Sequence, residues 1–360
     1  MIGRMLLVRG VLRETFGYTW RPLLIGGVFL SLRVFLAVAM ALDTVLSPTL
    51  RATRIRAPIV IVGNPRTGTT FLQRFLTDNE FGAGMQLFRM VYSSLIVQRL
   101  LRPFVPFMEA VSPARHHKSA AHETDLLSIE TDDVSMLFRF FDGFFLYGFF
   151  LAHAETDHVK FFDPAVRDTS ARDFAWLEAL WRRSLAYTGR KRVVAKLFST
   201  GVRMQAFLDR FPDAKILYMA RDPVAVIPST MSLVTGVLDS ALGFWSLPEV
   251  NRRRYLDRLY LALIDLLRRF HTDWTAGNIA RDRVYVVRYD RLMADFDSVM
   301  AEICSFIGSE PTPAQSNAIA RVAASQRAYR SEHVYDLAKF GLDADRIRRD
   351  TAFYTETFLS

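Results

Sequence analysis

Residues 63–70 read Gly-Asn-Pro-Arg-Thr-Gly-Thr-Thr, and the rest of the chain can be interpreted from this stretch. The apolar, β-branched run before it, residues 58–62, predicts a buried strand, and residues 71–76 predict the first turns of a helix. A glycine-bounded loop between a strand and a helix N-terminus aims backbone N–H groups and the helix dipole at one spot. The spacing Gly-x4-Gly is that of a phosphate-binding loop, so the stretch predicts an anion-binding site.

The loop differs from that of nucleotide triphosphatases in its cation. Thr69 stands where their lysine follows the second glycine, and the positive charge comes earlier, at Arg66. The loop can still hold a phosphate-like group through its guanidinium, hydroxyls and backbone amides. The predicted anion-binding residues of the loop are Arg66, Thr67, Gly68, Thr69 and Thr70. A glycine-rich turn that binds no ligand remains the alternative at this point.

Composition and charge limit the class of protein. The chain has 360 residues, of which 51% are hydrophobic, enough for one large α/β domain with extensions or for two small ones. Its single cysteine, Cys304, excludes an intrachain disulfide and indicates a reducing compartment. The net charge is +9, and residues 1–57 alone carry eight arginines against two acidic residues. We interpret this basic region as favouring an anionic membrane surface over nucleic acid.

Residues 22–42 form an almost wholly apolar run whose length suits a membrane helix. Arg33 lies near its middle, where an arginine costs about 2.5–3.5 kcal/mol on insertion scales. Three interpretations stay open: a peripheral or re-entrant membrane helix, a true span, or a soluble helix docked on the core. We expect a protein held on the cytoplasmic side of the membrane, either peripherally or by this single helix.

Apolar strand-like runs alternate with helical patterns through the rest of the chain. This alternation predicts an α/β fold of the P-loop-like, three-layer kind with a central parallel sheet, plus an N-terminal hydrophobic helical segment. The predicted strands are residues 58–62, 192–198, 214–220 and 284–288. The predicted organisation is a basic, hydrophobic helical segment over 1–56, a catalytic domain over 57–345 and a C-terminal helical tail over 346–360.

A second motif follows the third predicted strand. Arg221 and Ser229 lie eight residues apart across a strand-to-helix junction. Arginine can bind a phosphate through two parallel hydrogen bonds, and serine adds a hydroxyl donor. Because parallel strands place their carboxyl ends at one edge of the sheet, two anion sites are expected at that edge.

The two motifs together resemble those of the sulfotransferases, which use 3′-phosphoadenosine 5′-phosphosulfate (PAPS) as sulfuryl donor. The family's 5′-phosphosulfate loop reads Pro-(Lys/Arg)-(Ser/Thr)-Gly-Thr-Thr, and its 3′-phosphate motif has the Arg221–Ser229 spacing. The tail 329–342 resembles the C-terminal segment of bacterial members, which makes Arg330 a candidate 3′-phosphate ligand. Residues 286–292 look like the family's Tyr-(Glu/Asp)-x-Leu unit. The resemblance implies PAPS as co-substrate, 3′,5′-adenosine bisphosphate (PAP) as product, and no metal.

The catalytic base departs from the family's patterns. Cytosolic sulfotransferases carry Lys-x-His before the 3′ motif, and here Lys196 is kept while Phe198 replaces the histidine. Tyrosylprotein sulfotransferases place a glutamate where this chain has residues 86–87, Gln-Leu. The stretch 122–133 resembles an acidic segment of bacterial members. The candidate bases in it are His122, Glu130, Asp132 and Asp133, and an imidazole titrates in a range suited to this task.

The sequence therefore predicts a sulfotransferase that moves a sulfuryl group from PAPS to a hydroxyl or amine. Arg66 would stabilise charge on the transferred group, and Lys196 would act as a second cation or acid at the leaving group. A phosphate-loop kinase remains possible if Asp222 were a Mg²⁺ ligand, as does a catalytically inactive, membrane-bound nucleotide-binding scaffold. The hydrophobic N-terminus and the phenylalanine-rich segment at residues 138–145 favour a lipid-like acceptor. No nucleic-acid partner is expected.

Overall fold

The computed structural model describes residues 1–111, 125–328 and 336–360. The chain divides into two compact units. The first unit comprises Met1–Ile55, Met85–Arg190 and Leu233–Ala262. The second comprises Arg56–Gly84, Lys191–Ser232 and Leu263–Ser360. The sequence predicted three segments with different roles, over 1–56, 57–345 and 346–360. Compactness does not report on those roles, so this division stays a prediction.

A parallel sheet lies at the centre of the second unit. Its strands are β1 (Ile59–Val62), β2 (Val194–Lys196), β3 (Lys215–Ala220) and β4 (Val284–Arg288), in the order β2-β1-β3-β4. Each of the four predicted strands is confirmed, and every pairing is parallel. Because strands β1 and β3 are neighbours, the segments that follow them leave the sheet side by side.

Helices cover both faces of this sheet. The helices of the second unit are α4 (Thr69–Asp78), α10 (Met204–Arg210), α13 (Tyr289–Ala294), α14 (Phe296–Ile307), α15 (Pro313–Ala328), α16 (Ala344–Asp350) and α17 (Ala352–Phe358). Buried side chains of α4, α14 and α15 form one cluster with Ile61, Leu217 and other residues of the sheet. The burial of these apolar side chains provides most of the stabilisation of this unit.

The opposite face carries aromatic side chains. Two long helices, α11 (Pro223–Leu242) and α12 (Glu249–Thr275), have residues in both units. Tyr218 of β3 stacks on Phe270 of α12 with ring centroids 3.6 Å apart, and Phe358 of α17 packs against both rings. A sheet buried on both faces by helices is the predicted three-layer α/β arrangement, which the structure confirms.

The described part of the first unit is helical. Its helices are α1 (Ile2–Phe16), α2 (Arg21–Leu46), α3 (Pro48–Ala52), α5 (Leu87–Val91), α6 (Leu95–Leu101), α7 (Val105–Val111), α8 (Val134–Phe140) and α9 (Ser170–Thr188), with a π-helical turn at Phe145–Phe150. Helix α1 is packed into this unit, since Val8 and Val11 are buried against Leu146 and Leu151.

An ionic cluster also holds α1. Arg4 donates to the backbone oxygen of Phe141 at 2.7 Å and lies 3.4 Å from the buried carboxylate of Asp142, which also pairs with Arg167 and Arg172. Burial alone would raise the pKa of Asp142, but the hydrogen bond and charge of Arg167 lower it to about 2.

Helix α2 contains the apolar run 22–42 and has two different sides. Leu36 and Ala39 are buried against Val97, while residues such as Val28 and Phe35 are exposed. By length and composition, α2 and α11 could each cross a membrane, as could the bent pair Val134–Phe140 and Phe145–His153 if it counts as one span. Composition alone therefore does not distinguish a span from a helix that lies on a surface.

Candidate functional site

The 63–70 loop has the backbone that its glycines allow. Gly68 has φ +90° and immediately precedes α4, and Gly63 has φ +149° with a virtual Cβ only 2.8 Å from the backbone oxygen of Met219. Thr67 donates through its hydroxyl to the backbone oxygen of Asn64 at 2.7 Å, which closes the turn. The first N–H groups of α4 have no acceptor within the helix, so they are available as hydrogen-bond donors at the end of the loop. That the loop binds an anion stays a prediction.

Arg66 connects the loop to the second motif. Its backbone is in the left-handed region at φ +72°, an unusual conformation for a residue with a side chain. Its Nε donates to the hydroxyl of Ser229 at 3.0 Å, and Arg221 donates from Nη1 to the backbone oxygen of Arg66 at 2.8 Å. The structure thus brings together three residues that the sequence assigned to two separate motifs.

Tyr289 is a contact that sequence reasoning missed. The guanidinium carbon of Arg221 lies 3.9 Å from the centre of the Tyr289 ring, a cation–π arrangement. A Cβ at Gly68 would lie 2.7 Å from the same ring. The ring therefore positions Arg221 and requires glycine at position 68. The available sequence signal was that Tyr289 directly follows β4 and lies in the segment 286–292, which resembles the Tyr-(Glu/Asp)-x-Leu motif described above.

Thr230 was also missed. Its hydroxyl donates to the backbone oxygen of Pro65 at 2.9 Å, which fixes the start of the loop from helix α11. Its position directly after Ser229 was the only sequence signal. Since Ser229 and Thr230 both contact the loop, the first turns of α11 belong to this site.

Lys196 lies at the end of β2 and reaches the other side of the loop. Its Nζ donates to the hydroxyl of Thr70 at 2.9 Å, and the side chain is almost fully buried. Because β2 and β1 are neighbours, this ammonium lies next to the first turn of α4. The carboxyl edge of the sheet therefore carries three cations from three strand ends: Arg66, Lys196 and Arg221.

Asp222, the residue on which the kinase alternative depended, has a structural role as a helix cap. Its carboxylate accepts a hydrogen bond from the backbone N–H of Val224 at 2.9 Å, which caps α11. Among the described residues, no three histidine, cysteine or acidic side chains are grouped as metal ligands would be.

The candidate bases belong to the other unit. Glu130, Asp132 and Asp133 are buried in the first unit, where Asp132 accepts a hydrogen bond from Trp181 Nε1 at 2.8 Å and Asp133 accepts one from Thr131 at 2.9 Å. Their catalytic role stays a prediction. His122 and Arg330 lie outside the described residues, in the gaps 112–124 and 329–335.

Comparison with known proteins supplies independent information. The sulfotransferase family matches residues 58–313. Two curated mycobacterial proteins, the omega-hydroxy-beta-dihydromenaquinone-9 sulfotransferases Stf3 of Mycobacterium bovis and Mycobacterium tuberculosis, are each 22% identical to the chain over 255 residues. Each match covers 70% of this chain but only 62% of the relative, so the chain spans less than two thirds of these relatives.

Solved structures agree on the fold. The sulfotransferase STF1 from Mycobacterium tuberculosis is 18% identical with a TM-score of 0.68, and the match covers 98% of this chain and 91% of that one. The sulfotransferase STF9 from Mycobacterium avium is 20% identical with a TM-score of 0.60, covering 89% and 81%. At these identities the likeness shows a shared fold.

Proposed function

Because the chain belongs to the sulfotransferase family, we propose that it transfers a sulfuryl group from PAPS to a hydroxyl or amine acceptor, leaving PAP. The observation that carries the proposal is the direct connection of two anion-binding motifs at neighbouring strand ends, through Arg66, Ser229 and Arg221. A donor with a 5′-phosphosulfate and a 3′-phosphate requires two such sites side by side. ATP has no 3′-phosphate and would leave Arg221 and Ser229 without a ligand.

We assign the two ends of the donor to two groups of residues. The amides at the start of α4, with Arg66, Thr67 and Thr70, bind the 5′-phosphosulfate. Arg221 and Ser229 bind the 3′-phosphate, and Arg330 is proposed to join them. Tyr289 and Thr230 position Arg221 and the loop without touching the reacting atoms.

In the transfer, bound PAPS supplies the sulfuryl group. A bond forms between the acceptor oxygen or nitrogen and sulfur, and the bond between sulfur and the bridging oxygen breaks. Negative charge grows on that bridging oxygen, and Lys196 with Arg66 stabilises it, as cations do in phosphoryl transfer. The acceptor proton goes to a base, for which His122 and Glu130 are proposed and Asp132 and Asp133 are the alternatives.

We propose a lipid-like acceptor and a position on the cytoplasmic face of a membrane. Exposed apolar side chains of α2 support the membrane contact, and the basic residues around it suit anionic lipids. The two curated relatives are named for action on a menaquinone derivative, which is itself a membrane lipid. These observations favour an acceptor that reaches the enzyme from the bilayer.

Calorimetric titration with PAP and 5′-AMP tests the donor assignment. The parent protein should bind PAP at least roughly tenfold tighter, since a charge-assisted contact to the 3′-phosphate contributes about 1.5–3 kcal/mol. Arg221→Ala should abolish most of this preference, whereas Arg66→Ala should weaken both ligands. Arg348→Ala, which removes an exposed ion pair on α16, is the matched control and should change neither. Equal affinity of the parent for both nucleotides would contradict the proposal.

Activity is tested separately with radiolabelled PAPS and a total lipid extract. Label in a lipid band, lost in Lys196→Ala, is the expected result. Turnover of ATP would instead favour the kinase, and PAP binding without sulfuryl transfer to any lipid or small alcohol would favour the inactive scaffold.

A further inference from the structure

The segment 95–111 of the first unit is helical and apolar on both of its sides. It comprises α6, a 3₁₀ turn at Arg102–Phe104, and α7. Its inner side is packed: Val97 contacts the cluster of Leu36 on α2, and Val105 contacts the cluster of Phe88. A helical segment with one side buried in this way should carry polar residues on the other if that side faced only water.

The outer side of the segment is apolar instead. Leu100, Phe104 and Phe107 are 67%, 56% and 68% exposed, at positions i, i+4 and i+7. Two exposed arginines, Arg99 and Arg102, accompany them. Large exposed aromatic and aliphatic side chains grouped on one surface mark an interaction site in soluble proteins.

The start of this segment is tied to helix α2. The carboxylate of Asp43, on α2, accepts hydrogen bonds from the backbone N–H groups of Leu95 and Ile96 at 2.8 and 3.0 Å and from the hydroxyl of Ser94 at 3.1 Å. Asp43 therefore caps the first turn of α6. Packing of Leu36 on Val97 continues the same contact, so the two helices carry their exposed apolar residues as joined elements.

We propose that the 95–111 segment is a second membrane-contacting element, in which Leu100, Phe104 and Phe107 enter the interfacial layer of an anionic bilayer. Arg99 and Arg102 then pair with lipid phosphates. This inference rests on the membrane association proposed above and adds a contact surface to it. The occupant is a lipid surface because the segment combines apolar and basic side chains, with Glu109, half-buried, as its single acidic residue.

The proposed membrane contact of the 95–111 segment also determines how helix α2 meets the bilayer. Its two charged residues beyond the first turn, Arg33 and Asp43, are buried within the first unit, and Asp43 pairs with Arg183. Helix α2 is thus held against protein along one side while its other side is apolar and exposed. Together with the 95–111 segment, it forms a surface that lies on the bilayer, and α2 does not cross it.

Depth-resolved fluorescence on the full chain tests this. In a Cys304→Ser background, Phe104→Cys carries an environment-sensitive nitrobenzoxadiazole label, and Val250→Cys, an exposed apolar position of α12, carries it as the matched control. With vesicles containing phosphatidylglycerol, the label at 104 should shift to the blue, brighten roughly twofold or more, and be quenched by spin-labelled lipid. The label at 250 should stay in water.

Three outcomes would overturn the proposal, each in a distinct way. A label at 104 that stays in water on vesicle-bound protein leaves α2 as the anchor but removes this segment from the membrane. A label at 104 that is shielded without vesicles, with a doubled mass by light scattering, makes the surface an interface between copies. Failure of the chain to bind vesicles at all would contradict both membrane proposals. PAP affinity, measured alongside, reports on the donor site separately.

Flotation provides a second measurement. The triple variant Leu100→Ser/Phe104→Ser/Phe107→Ser should partition to anionic vesicles roughly tenfold to a hundredfold less than the parent. The control triple variant Val237→Ser/Val250→Ser/Leu261→Ser removes exposed apolar side chains of α11 and α12 and should float like the parent. Equal flotation of the two triple variants would contradict the proposal.

Discussion

The 63–70 loop and helix α2 differ in what determines their structure. The turn of the loop is closed by neighbours in sequence, with a glycine at φ +90° and Thr67 bonded to Asn64 three residues earlier, and distant residues such as Thr230 add to it. Helix α2 owes its position to distant partners, since Asp43 pairs with Arg183, 140 residues away. A motif with special backbone requirements is thus recognisable from sequence. An apolar helix is ambiguous until its partners are known.

The largest expected effect comes from the distant partners of α2. Asp43→Asn should lower the free energy of unfolding by about 3–5 kcal/mol, because one amide oxygen cannot serve the donors that now converge on the carboxylate. These donors are Arg183, Leu95, Ile96 and Ser94. The change in the free energy of unfolding is measured by urea denaturation, with circular dichroism as the signal.

Asp345→Asn is the control for that change, since it removes an exposed i,i+3 pair with Arg348. Such pairs contribute at most about 1 kcal/mol, so its midpoint should stay close to that of the parent. If Asp43→Asn were equally mild, α2 would be held by apolar packing alone, and the contrast with the loop would weaken.

A smaller effect is expected on the pH dependence of stability, through His153 and its contact with helix α1. His153 is buried between rings, stacked on Tyr255 at 4.1 Å with Phe16 of α1 at 5.1 Å, and burial lowers its pKa to about 3. Between pH 6.5 and 3 the unfolded chain binds this proton and the folded chain does not. Stability should therefore fall as pH drops below 6.5, by about 1.4 kcal/mol per pH unit, or about 2 kcal/mol at pH 5.

His153→Phe keeps an aromatic ring in the same surroundings and removes the titrating group. Its urea midpoint should fall less than that of the parent between pH 7 and pH 5. Parallel pH profiles of the two proteins would show that the imidazole is hydrated in solution, and that α1 is packed less closely than the ring contacts indicate.

The smallest expected effect tests how strictly the loop is determined. Gly68→Ala adds a Cβ at φ +90°, 2.7 Å from the Tyr289 ring, and should lower PAP affinity roughly tenfold with about 1–3 kcal/mol of local strain. Gly236→Ala in α11 is the matched control: no atom lies within 4 Å of its Cβ, and the helix should gain up to about 1 kcal/mol. Unchanged PAP affinity in Gly68→Ala would mean that the loop adjusts freely.

Most of the sheet could be predicted because its strands are short, apolar and bounded by breakers. Helix α14 spans Phe296–Ile307, and these bounds follow from local sequence, since its apolar spacing is regular and Gly308 ends it. The stretch 86–111 is apolar throughout and by composition could be one helix, but it forms three helices with interruptions at Tyr92 and at the 3₁₀ turn that contains Pro103. Apolar content alone does not show where a helix is interrupted.

The site was predictable as two motifs but not as one network. Spacing made Arg66, Arg221 and Ser229 candidates, since each follows a strand that ends at the same edge, and the structure brings the three into contact. The contact of Arg66 with Ser229 spans 163 residues, and the ring of Tyr289 acts through its face, a role that no spacing encodes. Which carboxylate or imidazole takes the acceptor proton stays a prediction.

The sequence by itself determined the glycine-bounded 63–70 loop between a strand and a helix, the arginine motif after the third strand, and the parallel sheet, because each depends on backbone preferences and periodicity over a few residues. Only the tertiary structure decided that Arg33 and Asp43 of α2 are buried against protein, and that the outer side of the 95–111 segment is left apolar and exposed. The reason is physical: burial and exposure depend on which surfaces meet, and those surfaces come from segments far apart in the chain.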